Sequence, residues 1–236
     1  MRKTTRKDKE EHLPEGRVIK EKFKEQRETT SKNKPVVPLN ERQVEYFEAI
    51  RTKDLVVATG FAGTSKTFVA TSLAAEAFYK GEISKIVLAR PAISGSQSLG
   101  FFSGDSDEKM FNWLMPMINV LNQRLGKAVV DIAIHDGDIQ LQPLETIKGM
   151  SYGKGTWVIA DEVEDCTIEE IKSIVTRNGG AKMVLCGDIL QSALHEKSGL
   201  AIFAGILKNS PRLQAVSYTH LPSPRDLSTS RMPSSA

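Results

Sequence analysis

The sequence predicts an α/β domain built on a mostly parallel central sheet with helices on both faces. Three observations carry this. The apolar runs Leu55–Thr59, Lys85–Ala89, Thr156–Ala160 and Lys182–Cys186 are continuous rather than alternating, as parallel strands buried on both faces require. Helix-compatible stretches over 67–80, 107–126 and 167–176 lie between them, the alternation of a doubly covered sheet. The first run leads into Gly60-Phe61-Ala62-Gly63-Thr64-Ser65-Lys66-Thr67 and that stretch into a helix. Strand, glycine-bearing loop with Lys-Thr, helix is the layout of a phosphate-binding loop.

The 236 residues suffice for one such domain with a substantial core. No apolar run approaches the ~20 residues that span a bilayer, and the basic N-terminus has no apolar segment behind it, so neither a membrane nor a secretory signal is expected. Cys166 and Cys186 stand outside any CxxC pair and read as buried structural thiols. His12, His135, His195 and His220 lack metal-ligand spacing. These features point to a reducing, cytoplasmic setting. Of the formal charge of +3, residues 1–34 carry +5, from 12 Lys/Arg against 7 Asp/Glu, and the remainder carries −2. A uniformly basic nucleic-acid-binding domain would not divide its charge in this way.

Taken in order, residues 1–34 form a polar arm with too few large apolar residues to offset chain entropy, and disorder is expected there. It reads first as a solvated leader and second as a phosphate-contacting arm for nucleic acid. Order begins at Pro35 and continues into a helix over 40–50 capped by Asn40, with Val44, Phe47 and Ile50 on one face. Gln43 lies early in it, and its donor and acceptor suit the N6/N7 edge of adenine. After the phosphate loop comes a helix with Val69, Leu73, Ala74 and Ala77 inward. Residues 93–104 read as a loop whose Phe101 and Phe102 either pack beneath it or stack on bases. One long helix is expected over 107–126, with Met110, Phe111, Leu114, Met117 and Leu121 as its stripe. Asp131–His135 and Ile139–Leu141 around Asp136-Gly137 give a β-hairpin signal. A helix over 198–208 and a last strand beginning at 213–216 follow. From Tyr218 the chain has no period and two close prolines, and disorder is expected.

The chemistry follows from placement. Small residues let backbone N–H groups and a helix N-terminus meet an anion. Lys66 reaches outer phosphates and the Thr67 hydroxyl suits Mg²⁺. Asp161-Glu162 sits at the C-terminal end of its strand, where ligands of open α/β sheets bind. Asp161 can anchor Mg²⁺ through water and Glu162 can accept a proton from an attacking water; the alternative is a simple helix cap. Gln191, after Gly187-Asp188, can contact a terminal phosphate or that water. Ser65 stands where a second glycine is usual. Left-handed backbone there would cost about 1–2 kcal/mol; helical backbone would cost only crowding.

Together these residues resemble the PhoH family, of the phage or bacterial type, a relative of the superfamily-one helicase ATPases. The resemblance runs over 35–217. It rests on Gln43 after Pro38-Leu39-Asn40, Gly60–Thr67, Arg90-Pro91-Ala92, Leu99-Gly100-Phe101, Glu108-Lys109-Met110, Pro143-Leu144 with Lys148-Gly149, Asp161-Glu162, Gly187-Asp188 with Gln191, and Ser198-Gly199-Leu200. It implies a RecA-like P-loop NTPase, a three-layer sandwich with a small β-hairpin insertion. ATP and Mg²⁺ are the implied cofactors. Gln43, Gly60 to Thr67 and Arg177 are the nucleotide contacts, Thr67 and Asp161 the metal ligands, and Lys66, Glu162 and Gln191 the catalytic groups. RNA or single-stranded nucleic acid and a homo-oligomeric ring are the implied partners, in the cytoplasm (a host's, were the chain phage-encoded). Glu164-Asp165 replaces the usual Gln-Asn, and Lys148 and Met150 replace arginines. The family's later arginine-bearing segment has no counterpart, so Arg177 is the remaining arginine candidate. Residues 218–236 are read as a truncation or read-end tail foreign to the family. Three functions stay open: an ATP-driven enzyme acting on nucleic acid, a P-loop kinase of a small substrate, and a nucleotide-binding module with little turnover.

Overall fold

The computed structural model describes residues 35–94, 97–98, 106–176, 178–209 and 216–221. Six parallel strands form the main sheet: β1 (Leu55–Gly60), β2 (Lys85–Arg90), β5 (Ile139–Pro143), β7 (Thr156–Ala160), β9 (Lys182–Gly187) and β10 (Val216–Leu221). Their order is β10-β1-β9-β7-β2-β5, and each neighbouring pair is parallel. Alternate residues of β1, β2, β7 and β9 feed opposite cores, which makes the sandwich three-layered. Val56, Ala58, Ile86 and Leu88 join one core with α1 (Glu41–Thr52), α2 (Lys66–Lys80), α3 (Ser106–Trp113), α4 (Met115–Leu125) and α5 (Lys127–His135). Leu55, Val57, Val87 and Ala89 join the other with α6 (Leu144–Ile147), α7 (Ile168–Thr176) and α8 (Gly199–Lys208). Every residue of β1 is buried, which explains a run without alternation.

The small strands are β3 (Ile93–Ser94) with β4 (Gln97–Ser98), antiparallel, and β6 (Tyr152–Gly153) with β8 (Asn178–Gly179), parallel. The chain's small hairpin is therefore β3–β4. The segment expected to be one, 131–141, is instead helix α5 followed by β5. Gly126 (φ 89) opens that helix, Lys127 and Asp131 pair across one turn at 2.8 Å, and Val130 and Ala133 are buried. Asp136-Gly137 ends the helix rather than turning a hairpin: Asp136 N donates to Ile132 O at 2.9 Å and Gly137 N to Ile134 O at 3.2 Å. The alternation had mimicked a strand because four branched apolar residues, Val129, Val130, Ile132 and Ile134, sit close together in a short helix.

Three further expectations change. The helix over 107–126 is two helices, parted at Leu114 (φ −95, ψ 5), because Pro116 has no N–H and takes the first turn of α4. In α1, Asn40 Oδ1 accepts from Gln43 N at 2.9 Å as a cap should. Its inward face, however, is Gln43, Tyr46, Phe47, Ala49 and Ile50, with Val44 42% exposed. Residues 218–221, expected to be irregular, complete β10 beside β1. The aromatic pair Phe101 and Phe102, the arm 1–34 and the segment from 222 onward lie outside the described residues.

Both cysteines are free and buried, and burial pushes both thiols upward, Cys186 to about 12. Among the described residues no group of three or more His, Cys, Asp or Glu is placed to hold a metal ion. Among the same residues no helix is long and apolar enough to cross a membrane.

Candidate functional site

The loop after β1 and the C-terminal ends of β7 and β9 converge on one cleft of about 470 Å³. One wall is the loop 62–68; the other is Asp161, Glu162, Glu164, Asp165, Gly187, Asp188 and Gln191. Parallel strands separated in sequence thus deliver the phosphate loop, the acidic pair and the sensor glutamine to one place.

The loop is held largely by its own backbone. Gly60 (φ 149), Gly63 (φ 78) and Ser65 (φ 66) all carry positive φ. Lys66, only 8% exposed, donates from Nζ to Gly60 O at 2.6 Å and Phe61 O at 2.9 Å. Gly60 and Phe61 therefore act through their carbonyls and do not line the cleft. Tyr46 of α1 fixes the start of α2 from behind, its hydroxyl donating to Lys66 O at 3.0 Å. Ser65 settles the question its sequence position left open. It is the N-cap of α2 in left-handed conformation (φ 66, ψ 20) and its side chain makes no cap hydrogen bond. The backbone a glycine would adopt freely is imposed on a serine, at about 1–2 kcal/mol.

The opposite wall is a chain of charge contacts. Thr67 Oγ1 donates to Asp161 Oδ1 at 2.5 Å, joining the head of α2 to the end of β7. Arg90, the last residue of β2, donates to Asp161 Oδ2 at 2.8 Å and pairs with Glu162 Oε1 at 3.0 Å. The same guanidinium donates to Trp113 O at 3.2 Å and lies 5.4 Å from the Trp113 ring centroid. Glu162 itself is left-handed (φ 56), strained backbone of the kind that gathers at functional sites. Asp188 ties the sensor to the loop: its Oδ2 accepts from Ala62 N and from Gln191 Nε2, both at 3.0 Å.

The donor set suits a hard cation. A threonine hydroxyl and a carboxylate in contact beside a phosphate-sized cleft match Mg²⁺, which binds through one or two protein oxygens plus substrate phosphates.

The structure brings together Ala62, Gly63, Thr64, Ser65, Lys66, Thr67, Asp161, Glu162 and Gln191 as the motif spacing predicts. Gln43 does not line this cleft: it is buried, and its amide oxygen accepts from Leu39 N at 2.7 Å. Arg177 lies outside the described residues. Sequence reasoning missed the roles of Tyr46, Arg90, Glu164 and Asp188. Arg90 carried a signal, an arginine ending a buried strand just before proline. Tyr46 carried none.

The model of the PhoH-like protein family matches residues 35–228. The chain is 36% identical over 189 residues to the PhoH-like protein of Bacillus subtilis, covering 79% of this chain and 59% of that protein. It is 32% identical over 163 residues to Protein PhoH of Escherichia coli, covering 68% of this chain and 46% of that one. It therefore spans about half the length of the curated relatives it matches. The crystal structure of the UvsW helicase from bacteriophage T4 aligns over 85% of this chain and 67% of its own, at 14% identity and a TM-score of 0.47. The chain belongs to the PhoH-like family, and its cleft is that of a P-loop NTPase.

Proposed function

We propose that this chain binds and hydrolyses ATP with Mg²⁺ and works on or with nucleic acid, RNA more than DNA, in the cytoplasm and as a homo-oligomeric ring. The observation that carries the reading is the Thr67–Asp161 contact beside Lys66. It supports the reading because a hydroxyl, a carboxylate and a lysine share one cleft. Backbone N–H groups of the loop and the head of α2 receive the phosphates. Lys66 exchanges its carbonyl partners for outer phosphate oxygens. Thr67 and Asp161 hold Mg²⁺, which when bound neutralises charge on the phosphoryl oxygens. Glu162, oriented by Arg90, takes the proton of the attacking water, and Gln191 reports the terminal phosphate to Asp188. Arg177 is assigned to that phosphate or to a neighbouring subunit. The amide oxygen of Gln43 is committed to Leu39, so adenine recognition falls to its amide nitrogen.

Phosphate release from Mg·ATP, measured with and without RNA and with and without DNA, tests this. RNA-stimulated turnover in the wild type that disappears in Lys66→Ala is the expected result. Unchanged turnover in that variant rules the site out.

A second reading, a nucleotide-binding module with little turnover, is favoured by the left-handed Ser65. Tight ATP binding without phosphate release would select it.

A further inference from the structure

Glu164 lines the phosphate cleft, yet the chemistry above gives it no task. It is 6% exposed, and its Oε2 is sealed from solvent without a hydrogen-bond partner. That oxygen is lodged against the end of β9, where a Cβ at Gly187 would stand only 2.5 Å from it. The carboxyl occupies room that exists because residue 187 has no side chain.

Its surroundings are acidic. On its own segment stand Asp161, Glu162 and Asp165, and from the end of β9 comes Asp188, all lining the same cleft. Helix α8 packs Leu200 against Gly187, and its one charged residue, Lys208, is in the last turn. Among the described residues, Arg90 is engaged with Asp161 and Glu162, and Lys66 with the carbonyls of Gly60 and Phe61. With Oε2 unpartnered and only backbone N–H groups to offset the lost hydration, a buried charge here is unfavourable, so the carboxyl keeps its proton. Burial pushes its pKa up to about 8, the backbone N–H groups of Glu164 and Asp188 pull it partly back, and Asp161 and Asp165 raise it further.

The segment cannot easily turn the carboxyl away. Ser192 Oγ and Ser198 Oγ both donate to Glu164 O, at 2.7 and 2.8 Å, and Ala193 N donates to Asp165 Oδ1 at 2.9 Å. When this side chain ionises, its charge stays at the floor of a cleft meant for polyphosphate.

We propose that Glu164 sets the pH range over which this chain holds a nucleoside triphosphate: neutral, it leaves the cleft open to the polyanion, and ionised, it repels it. This rests on the nucleotide reading of the cleft. Above the midpoint of its titration the apparent affinity falls by a factor approaching ten per pH unit.

The test is equilibrium binding of a fluorescent ATP analogue, with Mg²⁺, to the full chain and to Glu164→Gln across pH 6 to 9.5. Circular dichroism confirms that each sample is folded. The wild type is expected to bind about tenfold more weakly at pH 9 than at pH 7, with a midpoint near pH 8. Glu164→Gln is expected to remove that fall and to bind about tenfold tighter than the wild type at pH 9. Parallel pH curves in the two proteins would overturn the role of Glu164 and leave the nucleotide reading standing. Absence of binding by both folded proteins at every pH would overturn the nucleotide reading and this proposal with it.

Discussion

The two walls of the cleft are built in opposite ways. The loop wall is local: Lys66 is held by carbonyls five and six residues away. The acidic wall is assembled at a distance, with Arg90 reaching Asp161 across 71 residues and Asp188 reaching Ala62 across 126. A local device shows in a short stretch of sequence and tolerates change elsewhere. A distributed one depends on the whole sheet and is sensitive wherever a strand end shifts. Damage to the loop wall should therefore remove phosphate binding alone, whereas damage to the acidic wall should disturb stability and chemistry together.

The strongest probe of this contrast is Lys66→Ala. It is expected to abolish measurable ATP turnover, a loss of at least about 10²–10³ in rate, while leaving the urea midpoint nearly unchanged; a large drop in stability would show that the loop wall is not local. Arg90→Ala attacks the other wall. It strands Asp161 and Glu162, partly buried beside each other, and is expected to lower unfolding free energy by about 3 kcal/mol as well as slowing turnover. Equilibrium denaturation read alongside phosphate release separates the two losses, and loss of turnover without loss of stability would contradict the distributed picture.

Glu164→Gln acts on the same wall with the opposite sign. Burial pushes the folded carboxyl up to about 8 from an ordinary value of 4.5, so the folded state binds the extra proton in that window. The contribution of Glu164 to stability is fully present below pH 4.5 and is lost as pH rises toward 8. The glutamine variant escapes that loss. Its advantage should grow from near zero at pH 4.5 to on the order of 4 kcal/mol at pH 8, seen as a melting temperature that diverges from the wild type as pH rises. A constant difference across that range would break the assignment. The smallest effect is Ser65→Gly. Relief of left-handed strain, about 1–2 kcal/mol, is partly offset by the entropy that glycine adds to the unfolded chain. A net gain of about 0.5–1 kcal/mol is expected; a net loss would mean that the serine side chain serves the loop.

What the sequence made legible follows the same division. The four central strands, the phosphate loop, the acidic pair and Gln191 were all readable, because a buried parallel strand announces itself by unbroken apolar character and ends where its ligand groups begin. Helix α5 was not, since it compresses four branched residues into a pattern that mimics a strand, although the strand after it, β5, was read from Ile139 onward. Tyr46 was invisible as a site residue, and Arg90 and Asp188 showed only as motif members without a task, for another reason. Their partners are Lys66 O, the Walker-type carboxylates and Ala62 N, and only the folded strand order brings these within reach. The conformation of Ser65 was undecidable from sequence because both backbone choices fit a serine before Lys-Thr.

The pairing of β10 with β1 has a consequence for handling the protein. Val216–Leu221 covers one whole side of the strand that carries the phosphate loop, and Gly60 accommodates it so closely that a Cβ there would fall 2.3 Å from Leu221 O. Without that neighbour, β1 becomes an outer edge: six buried, uncharged residues with a free row of N–H and C=O groups, a template for strands of other molecules. A version of the chain shortened before Val216 is expected to self-associate, visible as a concentration-dependent rise in light scattering. Gly60→Ala, which forces the two strands apart, should move the full chain in the same direction.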